Sequence, residues 1–150
     1  METAMFRGGP ARTGLYAGEN AGVDWTFGTR GMVKSSPTPY DGVVYLADLT
    51  GRVHAVDSRT GALRWAYQAD GGIDGSVTVA DGIAYVCSGD GCVYAFEAGN
   101  GSVVWTYRVP DSFGMSTPAV GRGLVVVGGH DGTLLALADD TGAVLPYPGS

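Results

Sequence analysis

The pattern of apolar and polar residues along the chain predicts short β-strands. The clearest apolar runs are VVYLA (43–47), IAYVC (83–87) and LVVVG (124–128). They are rich in β-branched and aromatic side chains, and a run of about five residues is a typical strand length. No window shows the apolar spacing of an amphipathic helix over several turns. The pattern therefore indicates an all-β chain.

Glycines mark the turns between these runs. The residue before each glycine is usually Asp, Asn or Thr, and Asp-Gly and Asn-Gly favour a positive φ at the glycine, as tight hairpin turns require. The glycines fall into three units, and the intervals between them are the same in every unit. They are Gly42, Gly51 and Gly61, then Gly82, Gly91 and Gly101, then Gly123, Gly132 and Gly142. Three turns in each unit join four strands.

The interval between Trp65 and Trp105 gives the length of one unit, about 40 residues, which is typical of a propeller blade. Four strands in so short a unit predict one antiparallel sheet, and a series of such sheets buries its faces in a β-propeller. We expect blades at 32–68, 69–108 and 109–150, within one propeller domain.

Residues 1–31 are expected to be a lead-in that ends in a lone outer strand. DWTFGT (24–29) matches RWAYQA (64–69), and Trp25 stands as far before Trp65 as Trp65 stands before Trp105. Propellers have about 4–8 blades, so three four-stranded blades and one extra strand do not close a ring alone. The sequence thus predicts a propeller segment, either part of a longer ring or a self-associating piece.

Two segments carry a specific signature, AVDSRTGALRW (55–65) and AFEAGNGSVVW (95–105). They resemble the tryptophan-docking signature of pyrroloquinoline-quinone-type propeller repeats, and FRGGPARTGLY (6–16) resembles the lead-in of bacterial members. The resemblance implies that each Trp lies between adjacent blades, packed on the Ala and Gly of its own signature. The structural residues so assigned are Ala55, Asp57, Gly61, Trp65, Ala95, Glu97, Gly101 and Trp105, together with Trp25.

The third unit departs from the signature. Ala138 stands where the acid is expected, and Pro146 stands where the Trp is expected. Proline cannot donate a hydrogen bond to a sheet ladder and prefers edges. We therefore expect blade 3 to be degenerate or frayed at its outer strand.

The charge and the apolar runs exclude several functions. A net charge of −6 argues against binding to nucleic acid or anionic membranes. No run approaches the roughly 20 apolar residues of a membrane helix. The N-terminal sequence lacks a signal peptide, so the chain as given is expected in the cytoplasm, or in the periplasm or another extracytoplasmic place if it is part of a longer precursor.

Cys87 and Cys92 flank the SGDG loop, where they are expected to face each other across the hairpin. Two alternatives stay open, a disulfide across the loop and two small free thiols. A reducing cytosol favours the free thiols. No His-rich or Cys-rich cluster accompanies them, so no metal site is expected.

The loops that join one blade to the next are the candidate binding surface. They hold Arg30, Asp74 and Phe113, and the middle turn of the third unit holds His130. Phe113 is the first of these to test, while a lone turn histidine is more often simply solvated. His54 is expected to be packed or at an edge. Five hydroxyl residues of the first strands are candidates to line the central channel, namely Ser35, Ser36, Ser76, Ser116 and Thr117.

The family resemblance raises the question of a quinone cofactor. A dehydrogenase of this family would carry an adjacent Cys-Cys pair, calcium ligands and an Asp base, and the two cysteines here are not adjacent. We therefore expect no enzyme activity, no catalytic or metal residues and no bound pyrroloquinoline quinone. The expected function is a scaffolding or binding module whose partner is a protein or further blades. The resemblance extends to bacterial outer-membrane assembly lipoproteins and to sensory propellers fused to kinases, and a fragment of a quinoprotein dehydrogenase is the alternative.

Overall fold

The computed structural model describes residues 24–109, 116–129 and 132–145, and these residues form β-strands without any helix. The strands lie in three antiparallel sheets, as the apolar pattern predicts. In chain order they are β1 (Thr38–Tyr40), β2 (Val43–Ala47), β3 (Arg52–Asp57), β4 (Leu63–Gln68), β5 (Thr78–Ala80), β6 (Ile83–Cys87), β7 (Cys92–Glu97), β8 (Val103–Arg108), β9 (Ala119–Gly121), β10 (Leu124–Gly128) and β11 (Leu134–Ala138).

Each sheet is a meander in which every strand pairs with the next one along the chain. Blade 1 consists of β1–β4, blade 2 of β5–β8 and blade 3 of β9–β11. Tight turns set this order: Tyr40 lies opposite Val43, and the two residues between them, Asp41 and Gly42, have φ of 47° and 76°. All nine predicted turn glycines have a positive φ, so the turn prediction is confirmed.

The innermost strands are shorter than the sequence pattern suggests, because the residues before them bond to the neighbouring blade. The Ser36 amide donates to the Ser76 hydroxyl at 3.0 Å, and the Ser76 amide donates to the Thr117 hydroxyl at 2.9 Å. The first residues of β1 and β5 bond across as well, because the Thr38 hydroxyl donates to the Val77 carbonyl and the Thr78 hydroxyl donates to the Pro118 carbonyl, each at 2.6 Å. The Ser76 and Thr117 hydroxyls, which were expected in the channel, thus accept hydrogen bonds from the preceding blade.

Blade 3 and the N-terminal segment differ from the predicted strand count. The sheet of blade 3 has three strands, and its outer segment is reduced to an isolated bridge between Leu137 and Val144. This agrees with the expected frayed outer strand, although Pro146 itself lies outside the described residues. Residues 24–29 form no ladder with another described strand, so the expected outer strand stays a prediction.

Two apolar cores separate the blades, and we call them seam 1–2 and seam 2–3. Alternate side chains of each blade point to opposite faces. Tyr45 and Val53 of blade 1 thus meet Val86 and Phe96 of blade 2 in seam 1–2. Tyr85, Val93 and Trp105 of blade 2 meet Val125 and Leu137 of blade 3 in seam 2–3. The fold is therefore stabilised between sheets, as in a stack of repeats.

The cysteines do not face each other. Cys87 lies opposite Val93, so Cys92 is one position out of register and points to the other face of the sheet. Cys87 is buried in seam 2–3, whereas Cys92 packs at the edge of seam 1–2. Both thiols are free, which corrects the expected facing geometry and excludes the disulfide alternative in this fold.

Candidate functional site

The seams are the best-defined interaction sites of the molecule, and a tryptophan lies in each. Trp65 extends from β4 across to blade 2, where its Nε1 donates to the Ala98 carbonyl at 2.8 Å. Its indole lies over Gly101, and a Cβ on that glycine would come within 2.5 Å of the ring. Gly101 also has φ +77°, so both the backbone and the ring require a glycine there.

The other two tryptophans repeat this contact. Trp25 lies over Gly61 and donates to the Ser58 carbonyl, and Trp105 lies over Gly142 and donates to the Asp139 carbonyl. Each glycine belongs to the repeat after the one that supplies the Trp. The expectation that each Trp packs on the glycine of its own signature is therefore wrong. The alanine was placed correctly, since Ala55 and Ala95 lie opposite their own Trp in the sheet.

The signature acids have different surroundings. The Asp57 carboxylate accepts hydrogen bonds from the Arg59 and Thr60 amides and pairs with the Arg64 guanidinium at 2.8 Å. The hydrogen bond from Arg64, followed by the two amides, lowers the pKa of Asp57 to about 2. Glu97 is exposed. Asp57 thus fixes the turn before the tryptophan strand.

A buried hydrogen-bonded pair in blade 1 was not predicted from the sequence. Asp48 and His54 are both buried, and the Asp48 Oδ2 lies 3.0 Å from the His54 Nε2. The other carboxylate oxygen accepts from the Thr50 amide and hydroxyl. Burial alone would raise the pKa of Asp48, but the hydrogen bonds from His54 and Thr50 outweigh it, so the pKa is lowered. His54 is a packed histidine, and its ring meets the edge of Phe27.

Blade 2 builds the same kind of anchor from other residues. Asp90 accepts a hydrogen bond from the Tyr94 hydroxyl at 2.8 Å and another from the Cys92 amide at 2.8 Å. In blade 1 the acid, Asp48, directly follows β2. In blade 2 Ser88 directly follows β6, and the acid, Asp90, stands two positions later in the turn. A position-by-position comparison of the repeats therefore misses the pair. The sequence signal that could have predicted both pairs is an acid in the second turn of the blade followed by a His or Tyr on the next strand.

The predicted binding loops are only partly described. Arg30 is exposed and Asp74 is half-buried, and both precede an innermost strand. The described contacts do not join Arg30 to Asp74. Phe113 and His130 lie outside the described residues. The binding role of these four residues stays a prediction.

One face of blade 3 carries apolar side chains that no described blade covers. Leu134 lies opposite Gly128 at the start of its strand, as Val53 lies opposite Ala47 and Val93 lies opposite Cys87. Leu134 is 78% exposed, whereas Val53 and Val93 are fully buried. We call this surface the open face of blade 3. It presents the side of the blade that forms a seam in blades 1 and 2.

The described residues were also compared with the requirements of a metal site and of a membrane-spanning helix. Their His, Cys, Asp and Glu side chains form no group of three or more that is arranged to hold a metal ion. Among them there is also no helix with the length and apolar character needed to cross a bilayer.

Comparison with known proteins matches the sequence to one family. The family model described as outer membrane protein assembly factor BamB matches residues 13–146, which is most of the chain. A search of the curated proteins finds no match.

Solved structures give the same fold. BamB from Moraxella catarrhalis superposes with a TM-score of 0.74 at 27% identity, covering 87% of this chain and 41% of that one. Quinohemoprotein alcohol dehydrogenase from Comamonas testosteroni superposes with a TM-score of 0.73 at 25% identity, covering 82% of this chain and 22% of that one. The computationally designed Ika4 protein shares the fold at 20% identity and a TM-score of 0.71, with 82% of this chain and 76% of that one covered. The chain thus spans less than half the length of the two natural proteins.

Proposed function

The chain belongs to the family described as outer membrane protein assembly factor BamB, and from that premise we propose that it is a non-catalytic propeller module that binds protein. The family description names an assembly factor, and the Moraxella catarrhalis structure described above is a BamB. The same description favours an extracytoplasmic place of action over the cytoplasm.

The observation that carries the proposal is the open face of blade 3. Leu134 is 78% exposed at a position that is fully buried in blades 1 and 2. A repeat of this kind cannot bury its apolar face alone, and a neighbour normally covers it. We propose that a further blade of the same type covers this face, either from a longer chain or from a second copy.

Binding rather than catalysis is supported by the structural roles of three of the acids. Asp48 holds His54 and a turn, Asp57 holds a turn and Arg64, and Asp90 holds Tyr94. These three carboxylates hold turns and neighbouring side chains, which favours a structural role for them over that of a general base. We accordingly propose that the chain uses no quinone cofactor.

The alternative is a segment of a quinoprotein dehydrogenase, which the likeness to the Comamonas testosteroni enzyme favours. Calorimetric titration with pyrroloquinoline quinone and Ca²⁺ separates the two. We expect no heat of binding, and saturable binding of the quinone would overturn the non-catalytic proposal.

The open face is tested by solution mass and by a dye that fluoresces on apolar surface. We expect the chain to self-associate above its monomer mass of 15.4 kDa or to bind the dye. Leu134→Lys should reduce both effects. Leu63→Lys is the matched control, because Leu63 is also exposed but lies on the outer strand of blade 1. The role of this face would be contradicted if the chain were a monomer that does not bind the dye. It would also be contradicted if Leu134→Lys and Leu63→Lys reduced self-association or dye binding equally.

A further inference from the structure

A cleft of about 270 Å³ opens between blades 2 and 3, on the side of the molecule that carries the first and third turns of each blade. Its apolar wall includes Val104, and its rim carries three carboxylates. The lining residues on which the inference depends are Ala80, Asp81, Tyr85, Val104, Asp139 and Asp140. The cleft is thus apolar at one side and acidic at the rim.

The corresponding place in seam 1–2 is filled. Tyr40 occupies in blade 1 the position that Ala80 occupies in blade 2, and its hydroxyl accepts a hydrogen bond from the Gly82 amide at 3.2 Å. The tyrosine therefore bridges blades 1 and 2. In seam 2–3 the small side chain of Ala80 leaves that space empty.

The charge also differs between the two places. Arg64 of seam 1–2 corresponds to Val104 in the next repeat, and Ala98 and Gly99 correspond to Asp139 and Asp140. The tryptophans support this alignment, because Trp65 donates to Ala98 as Trp105 donates to Asp139. Seam 2–3 has therefore lost a cation and gained two carboxylates.

Tyr85 adds a polar group without a partner among the described residues. In seam 1–2 the Tyr45 hydroxyl donates to the Ala98 carbonyl at 2.9 Å. The corresponding Tyr85 is 2% exposed and lines the cleft, yet its hydroxyl makes no hydrogen bond to another described residue. Burial, followed by the charges of Asp139, Asp81 and Asp140, raises the pKa of Tyr85 to about 12, so the hydroxyl stays neutral.

The rim carboxylates form no ion pair within the part of the chain that the structure describes. The acid–base side-chain pairs there join His54 to Asp48 and Arg64 to Asp57, and neither lies at the cleft. Three such carboxylates beside an apolar wall attract a cation on an alkyl stem, since the stem packs on the apolar surface while the charged head meets the acidic groups.

We propose that this cleft binds a basic side chain, an arginine or lysine, presented by a protein partner. The alkyl stem lies against Val104, and the cationic head donates hydrogen bonds to the rim carboxylates and to the Tyr85 oxygen. The protein origin of the cation rests on the proposed function, whereas the affinity of the cleft for a cation does not.

The test is an NMR titration of the whole chain with n-butylguanidinium, with n-butanol as the uncharged control. We expect saturable shifts of the Asp81 and Asp140 amides with the cation, weaker at high salt, and none with butanol. Asp139→Asn with Asp140→Asn should lower the affinity at least about tenfold, because charged partners give the stronger hydrogen bonds. Absence of saturable shifts would overturn the proposal.

Two exchanges between the seams make the test specific. Ala80→Tyr should fill the cleft and abolish the shifts, since seam 1–2 already accommodates a tyrosine at this position. Tyr40→Ala opens the other seam, where Arg64 stands, and should create no second site. Binding that survives Ala80→Tyr would refute the cleft as its location.

A short peptide, acetyl-Gly-Gly-Arg-Gly-Gly-amide, distinguishes the source of the cation. Binding at least as tight as that of butylguanidinium supports a protein side chain. If only the small cation binds, the protein partner is refuted and the cleft is a site for a free amine or guanidine. Neither outcome depends on the quinone titration or on the solution mass, so the two proposals can fail separately.

Discussion

Seam 1–2 is filled by Tyr40 where seam 2–3 is left open by Ala80, although the two seams share one backbone design. Both have a tryptophan that lies over the glycine of the next repeat and donates to a backbone carbonyl. The difference therefore arises from side chains beside the shared contact. The repeat fixes the spacing of the blades, and a few substitutions decide whether a seam is closed or offers a pocket.

The largest expected effect is loss of the contact that the seams share. Trp65→Ala should lower the free energy of unfolding by about 3–5 kcal/mol, because it removes a buried indole and leaves a cavity. Trp105→Ala should do the same in seam 2–3. Urea melts measure both, with Val104→Ala at an exposed position as the control, expected to cost less than about 0.5 kcal/mol. A loss below about 1 kcal/mol for either Trp would contradict its part in holding the blades together.

The second largest effect is expected from exchanging Tyr40 and Ala80, the residues that distinguish the two seams. Tyr40→Ala should cost about 1–3 kcal/mol, since it removes a half-buried ring and leaves the Gly82 amide without its acceptor. Ala80→Tyr should leave stability unchanged or raise it by up to about 1 kcal/mol, because the ring enters an existing cleft. Thermal melts of the two variants give the comparison. Strong destabilisation by Ala80→Tyr would mean that the seams are not interchangeable at this point.

Acid should weaken seam 1–2 through Asp90. Burial would raise the pKa of Asp90, but the hydrogen bonds from Tyr94, the Cys92 amide and Ser88 lower it. A lowered folded pKa stabilises the protein above the unfolded pKa of about 3.9, and this contribution is lost as the pH falls through the folded value.

Asp90→Asn tests this contribution. It should cost about 1–2 kcal/mol at neutral pH and flatten the loss of stability below about pH 4. Seam 2–3 lacks the anchor, because Leu135 stands where Tyr94 stands in seam 1–2. Tyr94→Phe is the matched control, which keeps the ring and removes the hydroxyl. Melts between pH 2 and pH 7 that are equally steep for Asp90→Asn and the parent chain would contradict the role of Asp90.

The smallest effect is a difference in thiol reactivity. Cys87 is buried in seam 2–3, and burial raises its pKa to about 12, whereas Cys92 is only half-buried at the edge of seam 1–2. Cys92 should therefore react first with a thiol reagent in the native protein. Mass spectrometry after brief labelling identifies which cysteine has reacted. A thiol titration of the denatured, unreduced protein should detect two free thiols. Faster labelling of Cys87 would mean that seam 2–3 opens more readily than its packing indicates.

Much of the fold follows from local sequence. The nine turn glycines were placed correctly, and the second strands of all three blades have the predicted bounds, because turn chemistry and strand periodicity act over a few residues. The frayed end of blade 3 was expected from the replacement of Trp by Pro146. The predicted innermost strands were too long, since the backbone amides of Ser36 and Ser76 upstream of them bond to hydroxyls of the next blade rather than to their own sheet.

The sequence by itself determined the repeat, the turns and the residues that hold the seams, since each is specified within one unit of about 40 residues. Only the tertiary structure decided that Trp65 meets Gly101 rather than Gly61, that Cys87 and Cys92 point to opposite faces, and that Ala80 leaves a cleft. The physical reason is common to these cases. Which side chains meet depends on sheet register and on packing between blades, and neither is encoded by spacing within one repeat.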